Sequence, residues 1–295
     1  MKVIQIELNH HKLIMINMLQ KNTVLIAILM LLFLVWSCDD DSPTGPDFDE
    51  APEPPSIEDV EMDFSVFDQA ENFNQGTFAS NNKSLKELRG VINFDDMPAY
   101  EHAALYAGFA QIWFVSMGQL PQLFFQQQNW GDPDLCDGKW CWEWGYAAGG
   151  ESVTMTVTAE DKNDVRHWEL RYTTAGTEED LTNALLIAAQ LNLDGSGGSW
   201  QLYDFFEEAP VFNVDYVLEN GITRMVDLGY EEEGVRFLYE REGNMSSLKL
   251  WDVFESGKTE IVWDNETGNG YIQSPAYRGG EKVCWDENFI NTECT

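Results

Sequence analysis

The sequence contains little positive charge: 17 Lys and Arg residues stand against 51 Asp and Glu residues, and the formal net charge is −34. A field of this sign repels phosphate backbones and anionic lipid headgroups, so we expect no nucleic-acid partner. It attracts cationic partners, divalent ions included. The alternative is that the acidity only keeps the surface solvated, or adapts it to a salty habitat.

Recognisable catalytic and metal-binding motifs are also missing. The chain has no Gly-x-Ser-x-Gly elbow, no His-Glu-x-x-His pair and no phosphate-binding loop. After residue 38 the only histidines are His102 and His167, and neither cysteine pair has the two-residue spacing of a zinc site. We therefore expect no enzyme, no catalytic residues, no metal and no cofactor. A hydrolase built on paired carboxylates is one alternative.

The most apolar stretch is short. Thr23 to Trp36 has 14 residues and no charge, which is too few for a membrane span of about 20 residues and typical of an export signal. Lys21 supplies the preceding positive charge, and Ser37 and Cys38 follow the stretch. The start codon is Met1, Met15 or Met18, since the segment before Lys21 is long for such a signal.

Val35, Ser37 and Cys38 resemble the lipobox of bacterial lipoproteins, which signal peptidase II cleaves, although Trp36 stands where a small residue is usual. The resemblance implies that residues 1–37 are a signal peptide. It also implies a diacylglycerol on the Cys38 thiol and an acyl group such as palmitate on its amino group. At about 0.8 kcal/mol per buried CH₂, two or three acyl chains anchor a protein durably.

Three acids, Asp39 to Asp41, follow the cysteine. They resemble the signal that exports Bacteroidota-type lipoproteins to the cell surface, whereas Asp at this position in enteric-type bacteria resembles an inner-membrane retention signal. We expect a lipid-anchored protein of the cell envelope, on the outer membrane and exposed at the surface. The inner membrane is the alternative.

The region after the cysteine divides into two parts. Residues 38–63 hold eleven acids, five prolines and no Lys or Arg, a composition that favours an extended tether. Residues 64–138 are expected to be helical and to pack on a sheet. Within them, Ala99 to Gly118 has one charged residue, which predicts a buried apolar helix. A second membrane span is the alternative for this helix.

From Lys139 the apolar residues alternate with polar ones, so residues 139–295 are predicted to form an antiparallel β-domain. Asn220-Gly221 marks a tight hairpin, and the second half of Thr177 to Gln190 is interpreted as a strand. Ten or eleven short-linked strands predict a mainly β fold, a long meander curled into a barrel or half-barrel and preceded by the apolar helix. This layout loosely resembles the lipoprotein carriers of the LolA/LolB type, by analogy of architecture only.

Four further cysteines, an even number, favour disulfides in an exported protein. Four cysteines allow three pairings, of which we favour local ones. A disulfide between the first two closes a loop into the first predicted strand, and one between the last two staples the C-terminal tail. These four are Cys136, Cys141, Cys284 and Cys294.

Two groups of side chains are candidate binding sites. Tryptophans on the predicted sheet form either an aromatic wall for a sugar or a lipid, or a core of large side chains, which we favour. The members are Trp140, Trp142, Trp144 and Trp168, together with Trp130 and Trp200. Loop acids form either a calcium site or ordinary turns, which we also favour. These acids are Asp132, Asp134, Asp137, Asp194 and Asp264.

Three functions remain at this point. The chain is a lipid-anchored envelope protein with a non-catalytic binding or structural role, whose partner is another envelope protein. Alternatively, it carries a lipid or other apolar ligand in a half-barrel cavity. The third possibility is a secreted hydrolase.

Overall fold

The structure is a computed structural model that describes residues 51–53, 55, 60–70, 96–118, 132–177, 180–204, 206, 209–230, 234–252 and 257–294. Within these residues lie one α-helix, α1 (Ala99–Gly118), two 3₁₀ turns (Ser65–Phe67 and Arg278–Gly280) and one antiparallel sheet. The strands of the sheet are β1 (Asp134–Cys136), β2 (Lys139–Ala148), β3 (Glu151–Lys162), β4 (Val165–Ala175), β5 (Ala184–Asn192), β6 (Gly197–Tyr203), β7 (Pro210–Glu219), β8 (Ile222–Tyr230), β9 (Val235–Glu242), β10 (Met245–Asp252), β11 (Gly257–Asp264), β12 (Gly270–Gln273), β13 (Lys282–Trp285) and β14 (Asn291–Thr292).

Each strand pairs with the next one along the chain, so the fourteen strands form an uninterrupted meander. The predicted meander is confirmed, and so is the count of eleven strands between Lys139 and Gln273. Closure into a barrel is wrong. Among the described residues β1 pairs only with β2 and β14 only with β13, so the sheet is open.

The strands form because their side chains alternate between a buried and a more exposed face. On β3, for example, Met155, Val157 and Ala159 are at most 3% exposed, while the threonines between them lie on the other face. Tight turns join the strands. The predicted hairpin at Asn220-Gly221 is confirmed, because both residues have the positive φ that such a two-residue turn requires.

The segment after Thr177 illustrates a local ambiguity. Its second half is β5, which pairs with β4 and β6, so the strand interpretation is confirmed. Ile187 is fully buried and Leu186 is 3% exposed. A register irregularity between Leu170 and Arg171 on β4 puts these two consecutive residues of β5 into the core.

Helix α1 lies against the later strands. Phe109 and Trp113 contact Phe237 of β9 at ring-centroid distances of 5.8 and 6.0 Å. At the other end of the helix, Tyr100 contacts Trp285 of β13, and the Ala99 amide donates a hydrogen bond of 2.8 Å to the Asn291 side chain of β14. No helix in the described part of the chain has the length and hydropathy of a membrane span.

Residues 60–70 lie on the same part of the sheet. The rings of Phe64 and Phe67 contact Trp263 of β11, and Val60 and Met62 are 6% and 7% exposed. Asp63 forms an ion pair of 3.0 Å with Arg241 of β9. The last residues of the predicted tether are therefore packed against the β-domain.

Candidate functional site

Three tryptophans lie in a single row across the buried face of the first strands. Strand register places Trp140 beside Ala159, Ala159 beside Trp168, Trp168 beside Ala189 and Ala189 beside Trp200. Because the tryptophans stand two strands apart, about 10 Å separates neighbouring ones. We call these five residues the tryptophan row.

The small side chains of the row leave room for the indoles beside them. Trp142, one step along β2 on the same face, stacks on Trp168 with ring centroids 5.6 Å apart and an interplanar angle of 19°. The two rings are 8% and 2% exposed. Alternation of large and small cross-strand neighbours is how sheet faces reach dense packing, so these two indoles belong to the core.

The other predicted wall residues are less enclosed. Trp140 and Trp144 are half-buried, on the same face as Trp142. The Arg166 guanidinium lies 5.8 Å from the centre of the Trp140 ring and forms an ion pair with Asp161. The hydrogen bond from Arg166 lowers the pKa of Asp161 below its usual range, and the smaller effect of burial, which raises the pKa, does not cancel it. The structure therefore brings all four predicted tryptophans onto one face but leaves only two of them partly accessible.

Trp200, also predicted as a member of the aromatic wall, continues this face into β6. Its ring contacts Phe212 of β7 with centroids 5.2 Å apart and is 2% exposed. The indole Nε1–H is buried and has no hydrogen-bond partner among the described residues. An unpaired buried donor costs about 1–3 kcal/mol. Trp130 lies outside the described residues.

The disulfides lie at the two edges of the sheet. Cys136 of β1 bonds to Cys141 of β2, with Cα atoms 5.7 Å apart, and Cys284 of β13 bonds to Cys294, with Cα atoms 5.3 Å apart. Both predicted local pairings are confirmed. Each disulfide fixes a short outermost strand of three or two residues, and short edge strands are one way proteins prevent unwanted strand pairing.

Among the described strand residues, the opposite face of the sheet carries one pair of acids that face each other. Asp215 of β7 lies directly across from Asp227 of β8. Burial raises the pKa of Asp215; the amide of Asn213 opposes this effect, and the charge of Asp227 adds to it. Asp227 receives a hydrogen bond of 2.7 Å from Arg236, whose guanidinium lies 5.0 Å from the Trp251 ring centre.

This acid pair was not predicted, because strand register alone brings its members together. A shallow depression beside it is lined by Asn213, Asp227, Gly229 and Arg236. Since Asp227 is bound to Arg236 through two hydrogen bonds, its carboxylate is engaged in charge neutralisation. Asp227 and Arg236 therefore form a surface ion pair, which the Trp251 ring supports.

Two of the five loop acids form turns. The Asp194 carboxylate accepts a hydrogen bond of 2.9 Å from the Ser196 amide, and the Asp264 carboxylate accepts one of 2.8 Å from the Glu266 amide. This confirms the interpretation of both as Asx turns. In the described ranges no three His, Cys, Asp or Glu residues are grouped as metal ligands would be. Asp132, Asp134 and Asp137 lie at or beside β1.

The two histidines have different surroundings. His167 lies opposite Glu160 in the β3–β4 register, on the same face as the ion pair of 2.9 Å between Arg171 and Glu169. His102 is 1% exposed on α1 and meets the Tyr277 ring edge-on at 4.4 Å.

Comparison of the chain with protein-family models, with curated proteins and with solved structures finds no match.

Proposed function

We propose that the chain is a lipid-anchored lipoprotein of the cell envelope, whose β-domain has a non-catalytic binding or structural role. The pairing of the cysteines supports the proposal most strongly. The chain has five cysteines, and four of them form two disulfides with one another. Cys38 is the fifth. It lies two residues after the apolar stretch that ends at Trp36, at the position of the cysteine to which a lipoprotein's acyl chains are attached.

The proposed compartment fits the same chemistry. Disulfides form and persist in oxidising environments outside the cytoplasm, and both of them here hold short strands at the edges of the sheet. Lipid on Cys38 would place the β-domain beyond an acidic, proline-rich segment. We propose the outer membrane, with the β-domain at the cell surface, as the acidic residues Asp39 to Asp41 imply.

A binding or structural role also fits the charges of the sheet. At least eight of the eleven Lys and Arg residues in the described ranges form ion pairs with Asp or Glu. The positive charges are thus largely neutralised, while the excess of acids is not. Such a surface suits association with a cationic partner better than it suits an anionic one.

A second candidate is a carrier of a lipid or another apolar ligand in a half-barrel cavity. The observation that favours it is the position of α1. Its ring contacts lie on Tyr230, Phe237 and Trp285 of the later strands. Among ring contacts between described residues, none joins the helix to Trp140 or Trp144, which are half-buried. A secreted hydrolase, the third possibility, has no comparable support among the described residues.

Native mass spectrometry separates these candidates. The protein is purified from its own host, and the part of the chain after the tether, residues 60–295, is released and weighed without denaturation. The proposal predicts the mass of the polypeptide alone. The added mass of a bound lipid would contradict the proposal and support the carrier function. The added mass of calcium would support a metal-binding role for the loop acids.

The anchor is tested separately by cell fractionation. Wild-type protein is expected in the membrane fraction, and the Cys38→Ala variant in the soluble fraction. A Ser37→Ala variant, which keeps a small residue before the cysteine, is the control and should remain in the membrane fraction. Membrane attachment of Cys38→Ala would contradict the proposed anchor.

A further inference from the structure

Strand β2 is much longer than the strand beside it at the edge of the sheet. β1 pairs with β2 only from Lys139 to Cys141, whereas β2 continues to Ala148 and pairs with β3 along that length. Residues 142–148 therefore have a strand partner on one side only, in the part of the chain that the structure describes. We call residues 142–148 the open edge.

Two turns determine which backbone groups point away from the sheet. Asp137 and Gly138 both have positive φ, so Cys136 and Lys139 flank a two-residue hairpin turn and form a hydrogen-bonded pair. Hydrogen-bonded pairs recur at every second residue of an antiparallel ladder. Lys139, Cys141 and the following odd-numbered residues consequently direct their N–H and C=O groups towards the side of β1.

The turn at the other end of β2 gives the same result independently. Gly149 and Gly150 also have positive φ, and Ala148 and Glu151 flank them. Ala148 and the even-numbered residues before it therefore bond to β3. The outward N–H and C=O groups of the open edge belong to Glu143, Gly145 and Ala147.

These outward groups are accessible. Glu143, Gly145 and Ala147 are all exposed. Gly145 has no side chain, so its exposure is that of the backbone itself. The opposite edge of the sheet differs, because β13 has four residues and β14 has two. Proteins commonly protect exposed edges with Pro or Lys, and the open edge contains neither.

The side chains of the open edge define the partner that fits. Trp144 and Tyr146 lie on the face of the tryptophan row, with Tyr146 52% exposed, and Glu143 is exposed on the other face. An added strand would thus place apolar side chains against two aromatic rings and alternate side chains near a carboxylate. The net charge of −34 favours Lys or Arg at those alternate positions and opposes a second copy of this chain.

We propose that the open edge is a docking strand, which an extended cationic segment of another protein joins as an additional β-strand. This inference rests on the proposed binding role and names its surface and its class of partner. Main-chain hydrogen bonds to Glu143, Gly145 and Ala147 supply affinity, and the alternating aromatic and acidic side chains supply specificity.

The test uses the full-length protein in detergent and two synthetic peptides about ten residues long, which is enough to span the open edge. One peptide alternates Lys with Val, and the other alternates Glu with Val. Hydrogen exchange measured by mass spectrometry should slow in the segment 142–148 when the Lys peptide is added, and stay unchanged with the Glu peptide. Binding of the Lys peptide without protection of this segment would overturn the proposal, and so would equal protection by both peptides.

Two variants at one position separate backbone pairing from general attraction. Gly145→Pro removes an outward N–H, which an edge strand tolerates, and should weaken binding of the Lys peptide by about fivefold, the equivalent of one net hydrogen bond. Gly145→Ala keeps the N–H and its nearest new contact is 3.5 Å away, so it should bind like wild type. Equal affinities for the two variants would overturn the proposal.

Destabilisation by the proline, self-association of the chain and loss of the lipid anchor can each be recognised separately. If Gly145→Pro lowers the unfolding midpoint below that of Gly145→Ala, the exchange experiment on the wild-type protein still decides. Concentration-dependent dimers in sedimentation, lost in Gly145→Pro, would identify a second copy as the occupant and contradict the cationic partner. The peptide experiments need no lipid on Cys38, so their failure leaves the anchor test unaffected, and failure of the anchor leaves them unaffected.

Discussion

Phe67 connects the segment before the helix to the sheet, and its removal tests that packing. The side chain is fully buried. Its ring centroid lies 5.2 Å from that of Trp263, 5.7 Å from that of Tyr100 and 6.4 Å from that of Trp285. Phe67 thus contacts α1, β11 and β13 together, and we choose Phe67→Ala as the perturbation.

The expected loss of stability follows from this enclosure. Truncating a buried Phe to Ala removes its transfer free energy and leaves a cavity, at a typical cost of about 3–5 kcal/mol. Loss of the edge and tilted ring contacts is part of that cost. The three surrounding rings are anchored on separate elements, so the site has little freedom to collapse. We therefore expect a value in the upper part of the range.

Urea unfolding followed by tryptophan fluorescence measures the change. Phe206→Ala is the matched control, because Phe206 is 59% exposed and its truncation should change the free energy of unfolding by less than about 0.5 kcal/mol. A loss below about 1 kcal/mol for Phe67→Ala, with the same denaturant slope as wild type, would refute the packing of residues 60–70 on the sheet.

Three further predictions concern single groups. Burial raises the pKa of Asp63, but the hydrogen bonds from Ser65 and the charge of Arg241 together outweigh it and lower the pKa. The stabilisation from the charged Asp63 is therefore present above about pH 4 and is lost as the pH falls further. Urea unfolding should show Asp63→Asn to be less stable than wild type by up to about 1 kcal/mol at neutral pH and by less at pH 3. Burial and Glu101 raise the pKa of Tyr100 to about 12, so stability should fall as the pH rises from 10 towards 12, and Tyr100→Phe should lessen that fall in alkaline unfolding curves. Gly270→Ala would place a Cβ atom 2.3 Å from the carbonyl oxygen of Val262 and should lower the free energy of unfolding by about 1–3 kcal/mol; an unchanged midpoint would contradict the close approach of β12 to β11.

Features that depend on neighbouring residues were predictable from the sequence. Alternation along Met155 to Ala159 identifies a strand and its buried face, and Asn220-Gly221 identifies a hairpin, because both signals are local. The Cys136–Cys141 disulfide also follows from proximity in sequence. Whether the sheet closes depends instead on whether β1 meets β14, about 150 residues apart in the chain, and no local pattern reports this. Short edge strands, each with a disulfide, take the place of closure.

The candidate site was predictable from the sequence to a similar extent. The period of two places Trp140, Trp142 and Trp144 on one face, but the stacking of Trp142 on Trp168 depends on the small Ala159 between their strands. The pairing of Asp215 with Asp227 likewise arises from register. The open edge could be identified only from the turns at both ends of β2 and from the short length of β1. Both are properties of the folded chain.

The N-terminal peptide of the mature protein shows directly whether the chain is a lipoprotein. Protein is purified from membranes of its own host and digested, and the peptide that contains position 38 is analysed by mass spectrometry. We predict that this peptide begins at Cys38 and carries the added mass of a diacylglycerol and an acyl chain. A peptide that begins elsewhere, or an unmodified Cys38, would contradict the lipoprotein assignment.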